Sequence, residues 1–235
     1  CKVVGEGGNL GFTQRGRIEA ALAGVRINTD AIDNSAGVDT SDHEVNIKIL
    51  LDQVVRDGDL TPKQRNVFLA DMTDEVGELV LDDNRAQGLA LAIARRQALP
   101  MVNVHSRYLN TLESEGWLNR ALEFLPTDRQ IAERQSAGTG LTTPEFSVLL
   151  AYTKTANVAE MVRSDLPDDA YLEPDLVRYF PQRLQREFHD QILGHRLRRE
   201  IVATQVCNQL VNLSGISFDH RLSEETGLGV VEITR

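Results

Sequence analysis

The chain changes character at residues 30–46, DAIDNSAGVDTSDHEVN. Before this segment short β-branched runs alternate with glycines, and after it apolar residues recur every three or four positions. A spacing of two residues indicates strands, and a spacing near 3.6 indicates helices. The sequence therefore predicts a mainly α protein, in which a short, incomplete α/β piece at the N-terminus precedes a helical C-terminal domain.

Residues 1–45 follow the order of a strand, a glycine-rich turn, a helix and a second strand. The β-branched run at 2–4 ends at GEGGNLG, residues 5–11. A helix is predicted over 13–23 and a strand over 25–32. This order is typical of a Rossmann-like, doubly wound sheet. One such unit cannot form a stable sheet alone, so we expect this piece to be the tail of a larger nucleotide-binding domain.

Residues 46–235 are predicted to form a helical domain. Threonine followed three residues later by Gln or Glu marks a capping box at a helix start, and this spacing occurs at Thr61, Thr127 and Thr142. Apolar residues at helical spacing are assigned to the core; they include Val45, Val67, Leu89, Ile93, Leu99, Ile201, Val206 and Leu213. Residues 216–235 are predicted to be a short strand or a frayed end.

Composition limits the class of protein. The 235 residues are 41% hydrophobic and 26% charged, which is ordinary globular usage. The net charge of -10 disfavours the broad cationic surface that nucleic-acid binding needs. The two cysteines form no disulfide framework, which fits a reducing cytoplasm, and no apolar run is long enough to span a bilayer. We therefore expect a cytoplasmic protein with no nucleic-acid or membrane partner.

Two segments could contact a ligand. Glycines in the turn at 5–11 let the backbone approach a phosphate or ribose, although their spacing differs from the dinucleotide-binding fingerprint. The segment at 33–44 offers small residues, the amide of Asn34 and the hydroxyl of Ser41. Ser41 and Glu44 also have the spacing of a capping box, which predicts a helix start at Ser41. From the residues alone, ligand binding and helix capping therefore remain alternatives.

Titratable residues outside these segments suggest no further site. The five histidines, His43 among them, lack the spacing of zinc ligands, and no metal is expected. The pair Asp82 and Asp83 is interpreted as cap or turn residues near a helix end. The residues themselves therefore predict neither a metal centre nor a general acid–base pair.

Both candidate segments resemble glutamate dehydrogenases. KVVGEGGN at 2–9 is similar to the KVVAEGAN strand and loop late in the nucleotide-binding domain of those enzymes. DAIDNSAGVDTS at 30–41 resembles their PDxxxNAGGVxxS segment. The exact residues of this segment look like those of the large bacterial NAD-dependent class, in which a long helical region follows the catalytic domain. The resemblance covers essentially the whole chain.

The resemblance implies roles for five residues. Gly7, Gly8, Asn9 and Asn34 fall at the NAD site, and Ser41 falls on the serine that binds the distal carboxylate of glutamate. The catalytic Lys and Asp of the family lie upstream of the segments matched here, so no catalytic residue is expected in this chain. The chain departs from the family pattern after Asn9, where Leu-Gly replaces Gly-Pro, and at 35–37, where Ser-Ala-Gly replaces Ala-Gly-Gly.

The implied reaction belongs to a longer protein. It converts L-glutamate, NAD and water into 2-oxoglutarate, ammonium and NADH, in an enzyme expected to be a homo-oligomer. This chain would contribute one wall of the cleft and a helical scaffold, and would be inactive alone. One alternative is a non-catalytic helical scaffold or oligomerisation module, because the residues from Thr61 onward show no catalytic pattern. Another is an independent nucleotide-binding protein, which requires a complete parallel sheet.

Overall fold

The structure, a computed structural model, describes all 235 residues and is built from helices. The first seven are α1 (Gln14–Leu22), α2 (Asp30–Asp33), α3 (Ser35–Asp57), α4 (Pro62–Asp71), α5 (Thr73–Arg96), α6 (Val102–Ser114) and α7 (Asp128–Ser136). The others are α8 (Thr143–Arg163), α9 (Glu173–Tyr179), α10 (Gln182–Glu187), α11 (His189–Leu193), α12 (Arg198–Ser214), α13 (Phe218–Thr226) and α14 (Val230–Thr234). The mainly α fold is confirmed. None of these helices combines the length and the apolar composition needed to cross a membrane.

A single core of 38 buried apolar residues joins the helices. α8 lies at its centre and packs against α1, α5 and α12, while α3 packs against α5. Phe146, Leu149 and Leu150 of α8 are all 0% exposed. Full burial of one such side chain contributes about 1.5–3 kcal/mol. The core therefore fixes α8, and with it the helices that surround the candidate site.

The capping boxes predicted at Thr61, Thr127 and Thr142 are present. Thr61 and Thr127 each accept a hydrogen bond from the backbone of the glutamine three residues on, and each backbone N–H donates to that glutamine side chain. At α8 the Thr142 backbone N–H donates to Glu145 Oε2 at 2.7 Å. The same carboxylate oxygen, which is fully buried, accepts a hydrogen bond from Arg134. These local interactions satisfy backbone groups at the helix starts.

The second strand predicted over 25–32 is not formed. The only strand-like pairing is a parallel bridge between Val3 and Arg26. It is closed by Arg26 N donating to Lys2 O and Val4 N donating to Arg26 O, each at 2.9 Å. A strand depends on neighbouring strands for most of its hydrogen bonds, and this chain offers no third strand. The α/β layering expected for 1–45 is therefore not seen beyond one bridge.

Side chains, rather than a sheet, hold the N-terminal loop in place. The loop N–H of Glu6 donates to Asp33 Oδ2 at 2.8 Å, and that of Leu10 donates to Asp30 Oδ2 at 2.9 Å. Both aspartates belong to the short helix α2, which stands where the strand was predicted to end. The hydrogen bond from the Leu10 N–H, helped by the charge of Arg17, lowers the pKa of Asp30. The loop is consequently fixed against the start of α3.

The helix start predicted at Ser41 is wrong, because α3 already begins at Ser35. Ser41 lies inside the helix and its Oγ donates to Gly37 O at 3.3 Å. The helix starts earlier because Asn84 of α5 donates to Ser35 Oγ at 2.7 Å and to the carbonyl of Ile32 at 3.2 Å. α3 then continues through residue 45 to Asp57 without a break. The boundary between 45 and 46 thus falls within one helix, and as a domain boundary it stays a prediction.

Other differences concern exposure and the C-terminus. Residues 216–235 form α13 and α14 with Val230 buried, so the predicted strand or frayed end is wrong. Asp82 and Asp83 lie in the middle of α5 rather than near a helix end.

Some apolar residues assigned to the core are exposed. Helical spacing identifies an apolar face but does not show whether another element covers it. The exposed residues are Val45, Val67, Leu89, Ile93, Leu99 and Leu213.

Folding is expected to depend on pH through the buried His105 of α6. Its ring, 3% exposed, meets the edge of Phe146 at 4.9 Å. Burial, helped by Arg221, lowers its pKa from 6.5 to about 4. The unfolded chain therefore takes up this proton first, and stability falls as the pH drops from about 6.5 towards 4. The contribution lost between pH 7.5 and pH 5 is about 2 kcal/mol.

Urea unfolding of wild type and His105→Gln at several pH values measures this contribution. His43, His195 and His220 also have a lowered pKa because of burial, so the wild type loses stability through all four residues. The difference between the two proteins isolates His105. Parallel stability–pH curves for the two proteins would contradict the prediction.

Candidate functional site

A cleft of about 600 Å³ opens between the start of α3 and the faces of α5, α8 and α12. We call it the polar cleft, because most of its lining side chains are polar. They are Asn9, Asp30, Asn34, Ser35, Asp39, Asp42, Asp83, Gln87, Ser147, Lys154, Asn208 and Asn212. Two residues that the sequence singled out, Asn9 and Asn34, are among them.

The structure brings Asn9 and Asn34 together. Asn34 Nδ2 donates to Asn9 Oδ1 at 3.2 Å, so the N-terminal loop and the start of α3 meet at the edge of the polar cleft. A Cβ atom at Gly37 would lie 2.7 Å from Asn34 Oδ1, and glycine at this position leaves room for the amide. Each amide keeps a free donor or acceptor for a ligand.

Gly7 and Gly8 lie outside the polar cleft. Both are exposed, and a Cβ atom built on either would meet nothing within 4 Å. Gly7 borders a separate recess of about 390 Å³ with Asn28, Asp33 and Asn84. The backbone of this turn is therefore open to close approach, but on a surface adjacent to the amide pair rather than inside the cleft.

Ser41 is exposed and does not line the polar cleft. Asn34, Val38 and Ser41 are spaced i, i+4 and i+7, which places them along one side of α3. Val38 lines the cleft although 75% of it is exposed. This side of the helix leads from the amide pair at the cleft edge to the hydroxyl of Ser41, and it points away from the helical core.

We call Asp39, Asp42, Asp83 and Lys154 the floor of the polar cleft; three of these four residues are acidic. Burial, followed by repulsion from Asp83 and Asp42, raises the pKa of Asp39 to about 7. Burial also raises the pKa of Asp83. Lys154 of α8 faces both carboxylates, and burial lowers its pKa. Its Nζ donates to Gln87 Oε1 at 3.2 Å rather than to a carboxylate. Neither Asp39 nor Asp83 is therefore bonded directly to a cationic side chain.

A buried histidine lies next to this floor. His43 is 2% exposed and stacks on Tyr179 with 4.3 Å between ring centroids. The hydroxyl of Tyr179 donates to Asp42 Oδ2 at 2.8 Å and accepts from Asn46 Nδ2 at 2.8 Å. These bonds occupy Asp42 and fix the tyrosine ring, and the ring in turn fixes the plane of the imidazole.

Sequence reasoning missed the cleft floor. Asp39 was visible only as one residue of a motif, and Asp83 was interpreted as a cap. Lys154 lies in a segment used only to define a helix. The one local signal is that Asp39 and His43 are four residues apart and so share one side of a helix. Nothing in the sequence shows that α5 and α8 bring Asp83 and Lys154 to that side.

Family models match most of the chain. A model described as "Bacterial NAD-glutamate dehydrogenase, catalytic domain" matches residues 1–94, which include all five candidate residues. A model described as "Glutamate dehydrogenase, C-terminal" matches residues 138–235. The polar cleft takes side chains from both matched regions, since Asn9, Asn34 and Asp83 lie in the first and Lys154 in the second.

Three bacterial relatives are similar along the chain, and each is named NAD-specific glutamate dehydrogenase. The protein of Halomonas elongata is 52% identical over 100% of the chain, which covers 15% of that relative. The Pseudomonas aeruginosa protein is 53% identical over 99% of the chain, and that of Mycobacterium tuberculosis 46% over 100%. In each of these two the chain covers 14% of the relative. The chain therefore spans about one seventh of their length.

Proposed function

The chain belongs to the family of bacterial NAD-specific glutamate dehydrogenases, and on that premise we propose that it is one part of such an enzyme. The reaction is oxidation of L-glutamate to 2-oxoglutarate and ammonium, with reduction of NAD to NADH. The observation that carries the proposal is identity near 50% along the whole chain to relatives of that name. Within the enzyme, this chain forms one wall of the cofactor and substrate cleft and the helical scaffold behind it.

The N-terminal part takes the role of holding NAD. We assign Asn9 and Asn34 to the cofactor, with Gly7 and Gly8 giving it access to the backbone. The 3.2 Å contact between the two amides supports this assignment, because it presents both at one edge of an open cleft. Residues 1–45 are proposed to be the tail of a Rossmann-like domain. The parallel bridge between Val3 and Arg26, which flank α1, is consistent with the strand–helix–strand order of such a domain.

Ser41 takes the role of binding the distal carboxylate of glutamate. Its exposed position on the same side of α3 as Asn34 supports this role, because a bound substrate and cofactor could then lie along one side of the helix. A serine hydroxyl donates to a carboxylate through a charge-assisted hydrogen bond. We assign no hydride-transfer or acid–base role to a residue of this chain. The chain's part in catalysis is to orient cofactor and substrate.

Ser41→Ala in the full-length enzyme is expected to raise the KM for glutamate by about 10-fold to 100-fold, since a hydrogen bond to a charged group contributes about 1.5–3 kcal/mol. The KM for NAD should stay within about 2-fold of wild type, because the hydroxyl is assigned to the substrate alone. Steady-state kinetics with each substrate varied in turn measures both constants.

Thr40→Ala is the matched control. The Thr40 hydroxyl also bonds a carbonyl of α3, that of Ala36 at 2.6 Å, but it lies on another side of the helix. This variant should leave both KM values unchanged. An unchanged glutamate KM in Ser41→Ala would remove the substrate role of Ser41.

A helical scaffold or oligomerisation module is the second candidate for the part that follows α3. Leu81, Leu89 and Ile93 of α5 are between 43% and 62% exposed and lie one or two turns apart. Such an apolar helix side favours contact with another surface. We propose that this region acts as a scaffold within a cytoplasmic, homo-oligomeric enzyme. If Ser41→Ala changes neither KM value, the chain loses its proposed part in substrate binding, and the scaffold role gains support.

A further inference from the structure

Three side chains from two helices converge beside the floor of the polar cleft. Asp39 and His43 are one turn apart on α3, and Asp83 is on α5. Each offers one ligand atom, and these atoms all lie within 4.8 Å of one another. We propose that Asp39, His43 and Asp83 form a binding site for one divalent transition-metal ion. This site does not depend on the proposed dehydrogenase function.

His43 provides the first argument. It is 2% exposed, and neither ring nitrogen has a hydrogen-bond partner among the protein's own groups. Leaving a buried polar group unpaired is costly, so such a group points to a missing partner. His43 Nε2 faces Asp39 Oδ1 at 4.0 Å, which is too long for a hydrogen bond. Stacking on Tyr179 fixes the ring, so the nitrogen is already oriented.

The carboxylates provide the second argument. Asp39 Oδ2 is buried and also lacks a hydrogen-bond partner. No lysine or arginine nitrogen lies within 4.0 Å of Asp39 or Asp83. Lys154 faces both residues, but its hydrogen bond goes to Gln87. Asp42, the remaining acid of the floor, is bonded by Tyr179. Two half-buried carboxylates therefore share a space without a close cation, which a divalent ion would supply.

The ligand set indicates the kind of metal. One imidazole nitrogen with two carboxylate oxygens suits Zn²⁺ or Mn²⁺ better than Ca²⁺ or Mg²⁺, which prefer oxygen ligands alone. Ligand bonds of about 2.1 Å keep two ligand atoms at most about 4.2 Å apart, so atoms separated by as much as 4.8 Å would have to approach by a few tenths of an ångström. Three protein ligands leave coordination positions open towards the cleft. A bound ion would also link α3 to α5.

The test uses the full-length protein, stripped with a chelator and then dialysed against micromolar Zn²⁺ or Mn²⁺. Metal content is counted by mass spectrometry, and Co²⁺ is used as a visible-light probe of the ligand set. Wild type should hold one more ion per chain than Asp39→Asn, Asp83→Asn or His43→Gln, with affinity in the variants at least 10-fold lower. The two Asp→Asn variants keep the side-chain shape, so their folding is checked by circular dichroism before the comparison.

Asp82→Asn is the matched control. Asp82 is adjacent to Asp83 in sequence, but its side chain is 72% exposed and is bonded to Arg85. This variant should bind metal as wild type does. The ion should also raise the melting temperature of wild type and Asp82→Asn but not of Asp83→Asn. Equal metal content in wild type and the three ligand variants would overturn the proposal, as would wild type that holds no ion at micromolar free metal. Neither result depends on turnover, so it is separate from a failure of the dehydrogenase proposal.

Discussion

Replacing Glu6 with alanine is expected to lower the free energy of unfolding by about 3–5 kcal/mol. The Glu6 and Arg17 side chains are 3% and 7% exposed, and two hydrogen bonds of 2.6 and 2.9 Å join them. Without Glu6 the buried guanidinium keeps one carboxylate, Asp30 at 3.0 Å, and a long hydrogen bond of 3.4 Å to Gln14. The Phe12 N–H loses its acceptor. Removing one member of a buried pair leaves a poorly compensated charge, and this is the source of the loss.

Urea unfolding of the chain measures this change. Glu19→Ala on the exposed side of α1 is the control, and it should change stability by less than about 0.5 kcal/mol. The double change Glu6→Leu with Arg17→Met should recover much of the loss, because it removes both charges together. A single-variant loss below about 1 kcal/mol would show that the pair does not hold the loop.

The Glu6–Arg17 pair also concerns the candidate site. Glu6 and Asn9 lie on the same loop, and Asn9 reaches Asn34 only while that loop is held against α1 and α2. On the proposed assignment of Asn9 to NAD, Glu6→Ala in a full-length dehydrogenase is expected to weaken NAD binding as well as stability. Limited proteolysis at residues 1–12 would reveal release of the loop.

Gly140→Ala is expected to destabilise the chain by at least about 3 kcal/mol, at the upper end of what overpacking causes. Gly140 is buried in the connection between α7 and α8. A Cβ atom there would lie 2.4 Å from the carbonyl oxygen of Ala98 and 2.6 Å from its carbonyl carbon. Both atoms belong to the backbone, so no side-chain rotation relieves the clash. Either the end of α5 or the start of α8 must move.

Gly77→Ala is the control, and its expected effect on stability has the opposite sign. Gly77 lies within α5, and a Cβ atom there would meet nothing within 4 Å. Alanine favours a helix over glycine by about 1 kcal/mol, so this variant should be as stable as wild type or more stable. Thermal unfolding of the three proteins gives the comparison. Gly140→Ala within about 0.5 kcal/mol of wild type would mean that the connection adapts more easily than its close packing implies.

What the sequence predicted correctly depends on short-range chemistry. The helix starts at Thr61, Thr127 and Thr142 were predicted because a capping box needs only residues three positions apart. The same rule failed at Ser41, where the start of α3 depends on Asn84, 49 residues from Ser35. The strand over 25–32 failed for a related reason, since a strand is completed only by partners elsewhere in a sheet.

The candidate site was also predicted only in part from the sequence. Asn9 and Asn34 came from a family resemblance, and the structure brings them into contact without testing what they bind. The floor of the polar cleft was not predicted, because Asp83 and Lys154 reach Asp39 only through the packing of α5 and α8 against α3. Long-range packing of this kind leaves no periodic or local trace in a single sequence.

The uninterrupted course of α3 has a mechanical consequence. Its 23 residues extend for about 34 Å at about 1.5 Å per residue. Asn34 stands at one end, while Leu51 and Val54 near the other are 0% exposed. Because α3 is one continuous helix, the packing of Leu51 and Val54 restrains the backbone that carries Asn34, and a displacement of Asn34 would strain that packing. The packed end of α3 therefore restrains the position of the cleft edge at its other end.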